Sequence, residues 1–490
     1  MSTQIIFVVL YMIVSVGIGL HAASRVRSST DYVLAGRSLP IYITIATVFA
    51  TWFGSEAILG MPATFMEEGL GGIVADPFGA GLCLVFVGLF FAARLYRMKL
   101  LTIGDFYRNR FGRTVEVLIS IAICISYLGW VSAQIVALGL TINLISNDAV
   151  SLELGMVIGL TVVMLYTIFG GMWSVAIMDF LQMMIILGGL LIVAWLVASR
   201  LDGGYMAVID HAAAHDKFDF WPALNLAAIL AFIGTFVTLA LGSIPQQDVF
   251  QRVMSARDEK TAVRGTVIGG TFYIAFCFIP IFIAYGATLL DPSLLAVNMA
   301  EGGDPQRILP EFILNDVPMP IQIVFFGALL SAIMSTASGT LLAPSAILAE
   351  NIFKDAFRLN DKQLLWTLRG SVFVFGLVVL GYAYLSTSAG LSIFEMVENA
   401  YLVTLCGAFV PLAFGVYWKR ANNTGALVSI ALGVTTWAVL EALNLQMLAN
   451  DTSMLVPPQL AGLFMAIIGM IAGSLIAPSG AEDGGRHPAL

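Results

Sequence analysis

The sequence predicts an all-α polytopic membrane protein, and three observations carry that prediction. Of 490 residues, 59% are hydrophobic and only 11% charged, too little polar surface to coat a soluble globule of this size. Apolar stretches of about 20 residues, the length that crosses a bilayer, recur along the whole chain. Lys and Arg fall almost wholly on alternate connections between those stretches. The net charge of −8 says less about partners than the placement of the charges does. Cys83, Cys124, Cys277 and Cys406 all lie in apolar runs, so no disulfide framework and no Cys metal site is expected. The four histidines lie near the ends or in a polar connection, which excludes the intramembrane His pairs of a haem-binding subunit.

Residues 3 to 22 form the first apolar helix, followed by Arg25, Arg27 and Arg37. Its last residues resemble a cleavage site, but no basic region precedes it, so it reads as a span and not a signal peptide. Further spans are expected at 40–66, 74–96, 114–146, 152–170, 174–198, 223–244, 265–290, 319–349, 366–387, 393–418, 424–447 and 458–477, thirteen in all. Alternation through thirteen spans places 20 of the 23 Lys and Arg residues on one side. Arg200, Lys217 and Arg307 fall on the other, where the longer connections 199–222 and 291–318 are acidic. The basic side is the cytoplasm, so the N-terminus is expected outside and the C-terminus inside the cell membrane.

Several spans are interrupted. The second reads TIATVFATWFGSEAILGMPATF, with Gly54, Ser55, Gly60 and Pro62 where a continuous helix would avoid them, and the seventh carries Gly234 and ends in GSIP. Interrupted helices at corresponding positions of two halves point to a transporter of inverted repeats, with half-helix ends facing a midplane site. Gly and Pro are also ordinary in membrane helices, so the interruptions alone are suggestive.

Polar groups within spans supply the candidate site. In SAIMSTASGT, Ser331 to Thr340, helical spacing puts Ala332, Ser335 and Thr336 on one face, a patch of hard oxygen at membrane depth suited to a small cation. The bland alternative is that the hydroxyls bond back to the preceding turn. Glu56 lies in the interrupted span with no Lys or Arg expected at its depth, and an unpaired carboxylate there is a functional candidate. It could be protonated, face a water-filled cavity, bond backbone amides at the helix break or pair with a cationic substrate. Gln134, four residues beyond Trp130, could read a polar group of the ligand. Glu395, Glu398 and Glu441 rank below these, as gate or solvated positions.

SAIMSTASG, together with YTIFGGMWSVAIMDFLQ (Tyr166 to Gln182) and IPQQDVFQRVMSARDEKTA (Ile244 to Ala262), resembles the sodium:solute symporter family from about Thr30 to Arg420. The resemblance implies a five-plus-five inverted-repeat core of the LeuT type, here 40–198 and 223–418, within a single transporter domain that adds span 3–22 and the two spans of 424–477. It implies a sodium site with carbonyl ligands from Ala50, Phe53 and Ala332 and hydroxyl ligands from Ser335 and Thr336. A second ion site of some relatives matches at Asp179 and Ser338, but Gly339 stands where its other hydroxyl would be. Within the family the likeness runs to the high-affinity choline transporter branch, through ATW (Ala50 to Trp52), FGGMWSVAIMD (Phe169 to Asp179) and FQRVMS (Phe250 to Ser255). That branch implies an aromatic box for a quaternary ammonium. Trp52 and Trp130 match it, whereas Ala80 and Gln246 replace rings.

The expected function is therefore sodium-coupled symport of a small organic solute bearing an amine or quaternary ammonium, with Na+ as coupling ion and Trp52, Glu56, Trp130, Gln134 and Gln246 about the cargo. Proline-like amino acids, proton coupling and a transporter-like sensor are the alternatives. No enzymatic activity, nucleic acid or obligate protein partner is implied; the partners are the cargo and the lipid bilayer.

Overall fold

A computed structural model describes residues 3–300, 303–448 and 454–476. The end of the tail, including Arg486, lies outside these residues, as does the side chain of Glu398. The principal helices are α1 (Thr3–Ala23), α2 (Ile41–Phe49), α3 (Met61–Glu68), α4 (Val74–Arg97), α5 (Ile103–Phe111), α6 (Arg113–Ile145) and α7 (Leu152–Arg200). They continue as α8 (Leu226–Gly242), α9 (Gln247–Met254), α10 (Glu259–Leu290), α11 (Met319–Phe357), α12 (Asp361–Ser388), α13 (Ile393–Tyr417), α14 (Asn423–Leu448) and α15 (Pro458–Ile476).

Ten of the described helices are long and apolar enough to cross a membrane, or up to eleven if a bent pair counts as one span. The difference from thirteen has identifiable causes. The second expected span is split into α2 and α3. The bent pair is α8 and α9, which meet at 45° across Ser243–Gln246. The third cause is α7, whose 49 residues contain one non-helical position, Gly171, at φ 50° and ψ −142°.

The chain turns back at Gly171. Tyr166 donates to the Met334 carbonyl at 2.9 Å while Asp179 accepts from Ser335 at 2.5 Å, so two residues 13 apart on α7 reach neighbours on α11. Along a straight helix they would lie about 20 Å apart. The arms therefore correspond to the separate spans 152–170 and 174–198. A Cβ at Gly171 would stand 2.4 Å from the Tyr32 carbonyl, and the positive φ independently selects glycine.

A correction concerns the segment after the seventh expected span. Residues 247–254 form α9, and every one of them is buried. Pro245 lacks an N–H and ends α8, but the helix resumes two residues later with Asp248, Gln251 and Arg252 turned inward, a polar spacing that resembles a loop in sequence. Arg252 thus belongs to the core and not to the cytoplasmic surface to which charge alternation assigns it.

Helix α11 packs against the arms of α7 and against α6, and α2 packs against α10, which brings the break after α2 to the middle of α11. One end of this core is tied by polar contacts. Asn351 of α11 donates to Asp105 at 2.9 Å and to Glu116 at 2.8 Å, and accepts from Thr102 at 2.7 Å. Arg113 reaches the Asn351 carbonyl at 2.5 Å and Glu116 at 2.8 Å, and Gln247 accepts from the Ile103 N–H at 2.8 Å.

Candidate functional site

The site grows from the break after α2. Ala50 ends the helix with its N–H on the Ala46 carbonyl, and the Gly54 N–H folds back to the Trp52 carbonyl at 2.8 Å. Helical structure resumes at Ser55 and runs through a wide turn, Glu56–Gly60, before α3. Such π-type turns recur at functional positions. The break leaves carbonyls without their usual helical donors, and that of Ala50 accepts from Thr336 Oγ1 of α11 at 3.2 Å. Gly54 makes this approach possible, because a Cβ there would lie 2.8 Å from Thr336 Oγ1 and 2.6 Å from Gln134 Oε1.

The hydroxyls of α11 divide into two groups. Ser338 donates to the Ser335 carbonyl at 2.9 Å and Thr340 to that of Thr336 at 2.8 Å, the back-bonding common in membrane helices. Ser335 and Thr336 instead point off the helix, to Asp179 and Ala50. Because a serine hydroxyl has one proton, donating it to Asp179 leaves the Ser335 lone pairs free for a cation. Asp179 thus orients Ser335, as an outer carboxylate orients a metal ligand. Phe53 and Ala332 are also fully buried, Phe53 with its ring stacked 4.7 Å from Phe49.

An aromatic and acidic cluster begins within the break itself, at Trp52. The rings of Trp52 and Trp130 lie 6.2 Å apart, and Tyr401 of α13 closes the group at 6.5 Å from Trp52 and 5.3 Å from Trp130. Both indole N–H groups lack a hydrogen-bond partner. Glu56 Oε2 accepts from Gln134 at 2.8 Å, while Oε1 has no hydrogen-bond partner. Both ends of the Gln134 amide are engaged: its Oε1 takes the Ser55 N–H at 3.0 Å and its Nε2 donates to Glu56, so it clamps the break and the carboxylate together. Gln246, at the second break, donates to Ser126 at 2.9 Å and Thr404 at 3.3 Å, with its Oε1 unpartnered. No residue among Trp52, Glu56, Trp130, Gln134, Gln246 and Tyr401 is more than 2% exposed.

Sequence reasoning missed four members of this region. Tyr401 precedes the small and polar residues Thr404, Cys406 and Gly407, a sign that its span is interrupted. Asp76, an acid inside an apolar span, accepts from Tyr273 at 2.6 Å, and Tyr273 also approaches the Trp52 carbonyl at 3.5 Å. Asp248 accepts from Tyr127 at 2.5 Å. Arg252 sits with Nε 3.6 Å from Asp179 Oδ2, both side chains fully buried. The i, i+3, i+4 spacing of Asp248, Gln251 and Arg252 was the legible signal. Glu56, Asp76, Asp179 and Asp248 thus lie buried in the core with one buried arginine among the described residues, an environment that attracts cations.

Comparison with known proteins agrees with this architecture. The profile of the sodium:solute symporter family matches residues 32–433. The high affinity choline transporter 1 of Homo sapiens is 28% identical over 448 residues, covering 88% of this chain and 75% of that protein. The high-affinity proline transporter PutP of Bacillus subtilis (strain 168) is 29% identical over 450 residues, covering 86% and 89%. Among solved structures, a Na+-coupled sialic acid symporter in an outward-open state superposes with a TM-score of 0.81 at 20% identity over 98% of each chain. A nucleobase-cation-symport-1 family transporter superposes at 0.55 with 18% identity, over 92% of this chain and 96% of that one.

Proposed function

Because the chain belongs to the sodium:solute symporter family, and so is a sodium-coupled membrane symporter and not an enzyme, we propose that its cargo is a small organic ammonium compound of the choline or betaine type. The observation that carries this is the free Oε1 of Glu56, whose other oxygen is held by Gln134 one helical turn from Trp130, the ring that Trp52 and Tyr401 pack against. Aromatic faces attract a desolvated cation by about 2 kcal/mol or more, and a cationic cargo offsets the cost of a carboxylate held away from water. The choline transporters at 28% identity support the same class.

Sodium binds between the broken second span and α11, at the Ala50, Phe53 and Ala332 carbonyls and the Ser335 and Thr336 hydroxyls. Trp52 lies between Ala50 and Glu56 on one break, so an ion that orders this segment also orders the cargo site. Differential affinity for sodium between outward-open and inward-open forms then couples the gradient to import. The repeats 40–198 and 223–418 rock about this site in the cell membrane, with the N-terminus outside and the C-terminus in the cytoplasm.

The test is the melting temperature of the purified protein in sodium against potassium at equal ionic strength, with choline, betaine and proline added in turn. A ligand of the folded state raises stability with concentration over affinity. Sodium should stabilise, and an ammonium compound should add a sodium-dependent shift that Glu56→Gln weakens by about tenfold in half-saturating concentration, the equivalent of about 1.4 kcal/mol. Equal stability in sodium and potassium would refute the sodium site, and a response to proline alone would refute the cargo.

A further inference from the structure

The two oxygens of Asp179 serve different neighbours. Oδ1 accepts the Ser335 hydroxyl, whereas Oδ2 accepts no hydrogen bond and faces Arg252. The guanidinium is fully buried, and none of its three nitrogens has a hydrogen-bond partner. Its space exists because residue 339 is glycine: a Cβ there would lie 2.1 Å from Nη2 and 2.7 Å from Cζ and Nη1. Gly339 is also the position at which the second ion site of some relatives needs a hydroxyl. Ser338, the other matching hydroxyl, donates to the Ser335 carbonyl. These residues do not fit a second sodium cage. One donor is missing, and a fixed positive charge lies against the carboxylate that a second ion would need.

We infer that Arg252 stands in for that ion, supplying Asp179 from within the chain with the charge a second sodium would bring, so that one sodium ion binds per transport cycle. The guanidinium and a sodium ion cannot share the space beside Gly339, and two like charges at such separation in a water-poor core repel strongly. Arg252 also keeps Asp179 compensated after sodium leaves, so that Asp179 goes on accepting the Ser335 hydrogen bond and that hydroxyl stays oriented for the next ion. This inference rests on the sodium-coupled function proposed above.

The experiment counts sodium ions on the purified full-length protein by equilibrium binding of radioactive sodium, alongside the Hill coefficient of sodium-dependent thermal stabilisation. The wild type should bind about one ion per chain with a Hill coefficient near one, and Arg252→Lys, which keeps the charge, should do the same. Arg252→Gln combined with Gly339→Ser vacates the space and restores the hydroxyl, and should bind about two. Two ions on the wild type would overturn the inference and leave the symport function standing, as would a monodisperse double variant that still binds one. No sodium on the wild type would overturn the sodium site itself, and this inference with it. If the double variant does not purify, the wild-type and Arg252→Lys counts decide.

Discussion

The core contains two broken helices, and they handle charge in opposite ways. The break after α2 presents the Ala50 carbonyl and the Glu56 carboxylate, neither of them in a salt bridge among the described residues. The break before α9 leads into a buried helix that carries its own, Arg252, set against Asp179 of α7. A site meant to load and unload an ion must leave the charge unbalanced when empty, which is the role proposed for the first break. A site that must stay balanced through the cycle has its cation covalently attached. Ser335 joins the two, donating its hydrogen bond to Asp179 and keeping its lone pairs free for the proposed sodium ion. On the proposed sodium site, the chemical difference between the breaks would separate the mobile charge of the transport cycle from the permanent one.

That comparison breaks most severely at Gly54. Gly54→Ala drives a methyl group into Thr336 and Gln134, and should abolish both uptake and the stabilisation by sodium over potassium; a variant with a normal sodium response would mean that the first break does not meet α11. Next come Ser335→Ala and Thr336→Val, each removing one proposed hydroxyl ligand. A lost contact to a charged group is worth about 1.5–3 kcal/mol, so the half-saturating sodium concentration in uptake should rise by about 10- to 100-fold with little change in protein yield. The smallest effect is expected for Ser338→Ala. Its hydroxyl is spent on the backbone of its own helix, so sodium dependence should stay within about twofold and stability within about 0.5 kcal/mol. A large loss of sodium affinity there would place an ion beside Ser338 and erase the distinction between the two breaks.

Much of this was legible in sequence because membrane burial leaves few polar residues, and those few stand out. Ser335, Thr336 and Glu56 could be singled out on that ground, Asp179 only through the family resemblance, and the structure brings Ser335 against Asp179 and Thr336 against the Ala50 break. Arg252 was hidden by the rule that locates cytoplasmic connections. Lys and Arg mark that side on average, so an arginine turned inward one helical turn past the break counts as a surface charge. Tyr401 was hidden for a different reason: a tyrosine in an apolar run is ordinary, and its partners Trp52 and Trp130 lie more than 250 residues away. Gln134 was read only as sharing the Trp130 face toward the ligand, because periodicity along one helix could not show that both ends of its amide are engaged across the break, on Ser55 and Glu56.

The reversal at Gly171 has a practical side for anyone mapping how this protein lies in its membrane. Two crossings are joined there by a single residue pressed on the Tyr32 carbonyl, with no exposed connection between them. A protease site, cysteine label or reporter fusion placed at residues 170–172 should therefore fail through misfolding and not through inaccessibility. The segment containing the short surface helix Tyr205–Ala214 offers room for the same insertion.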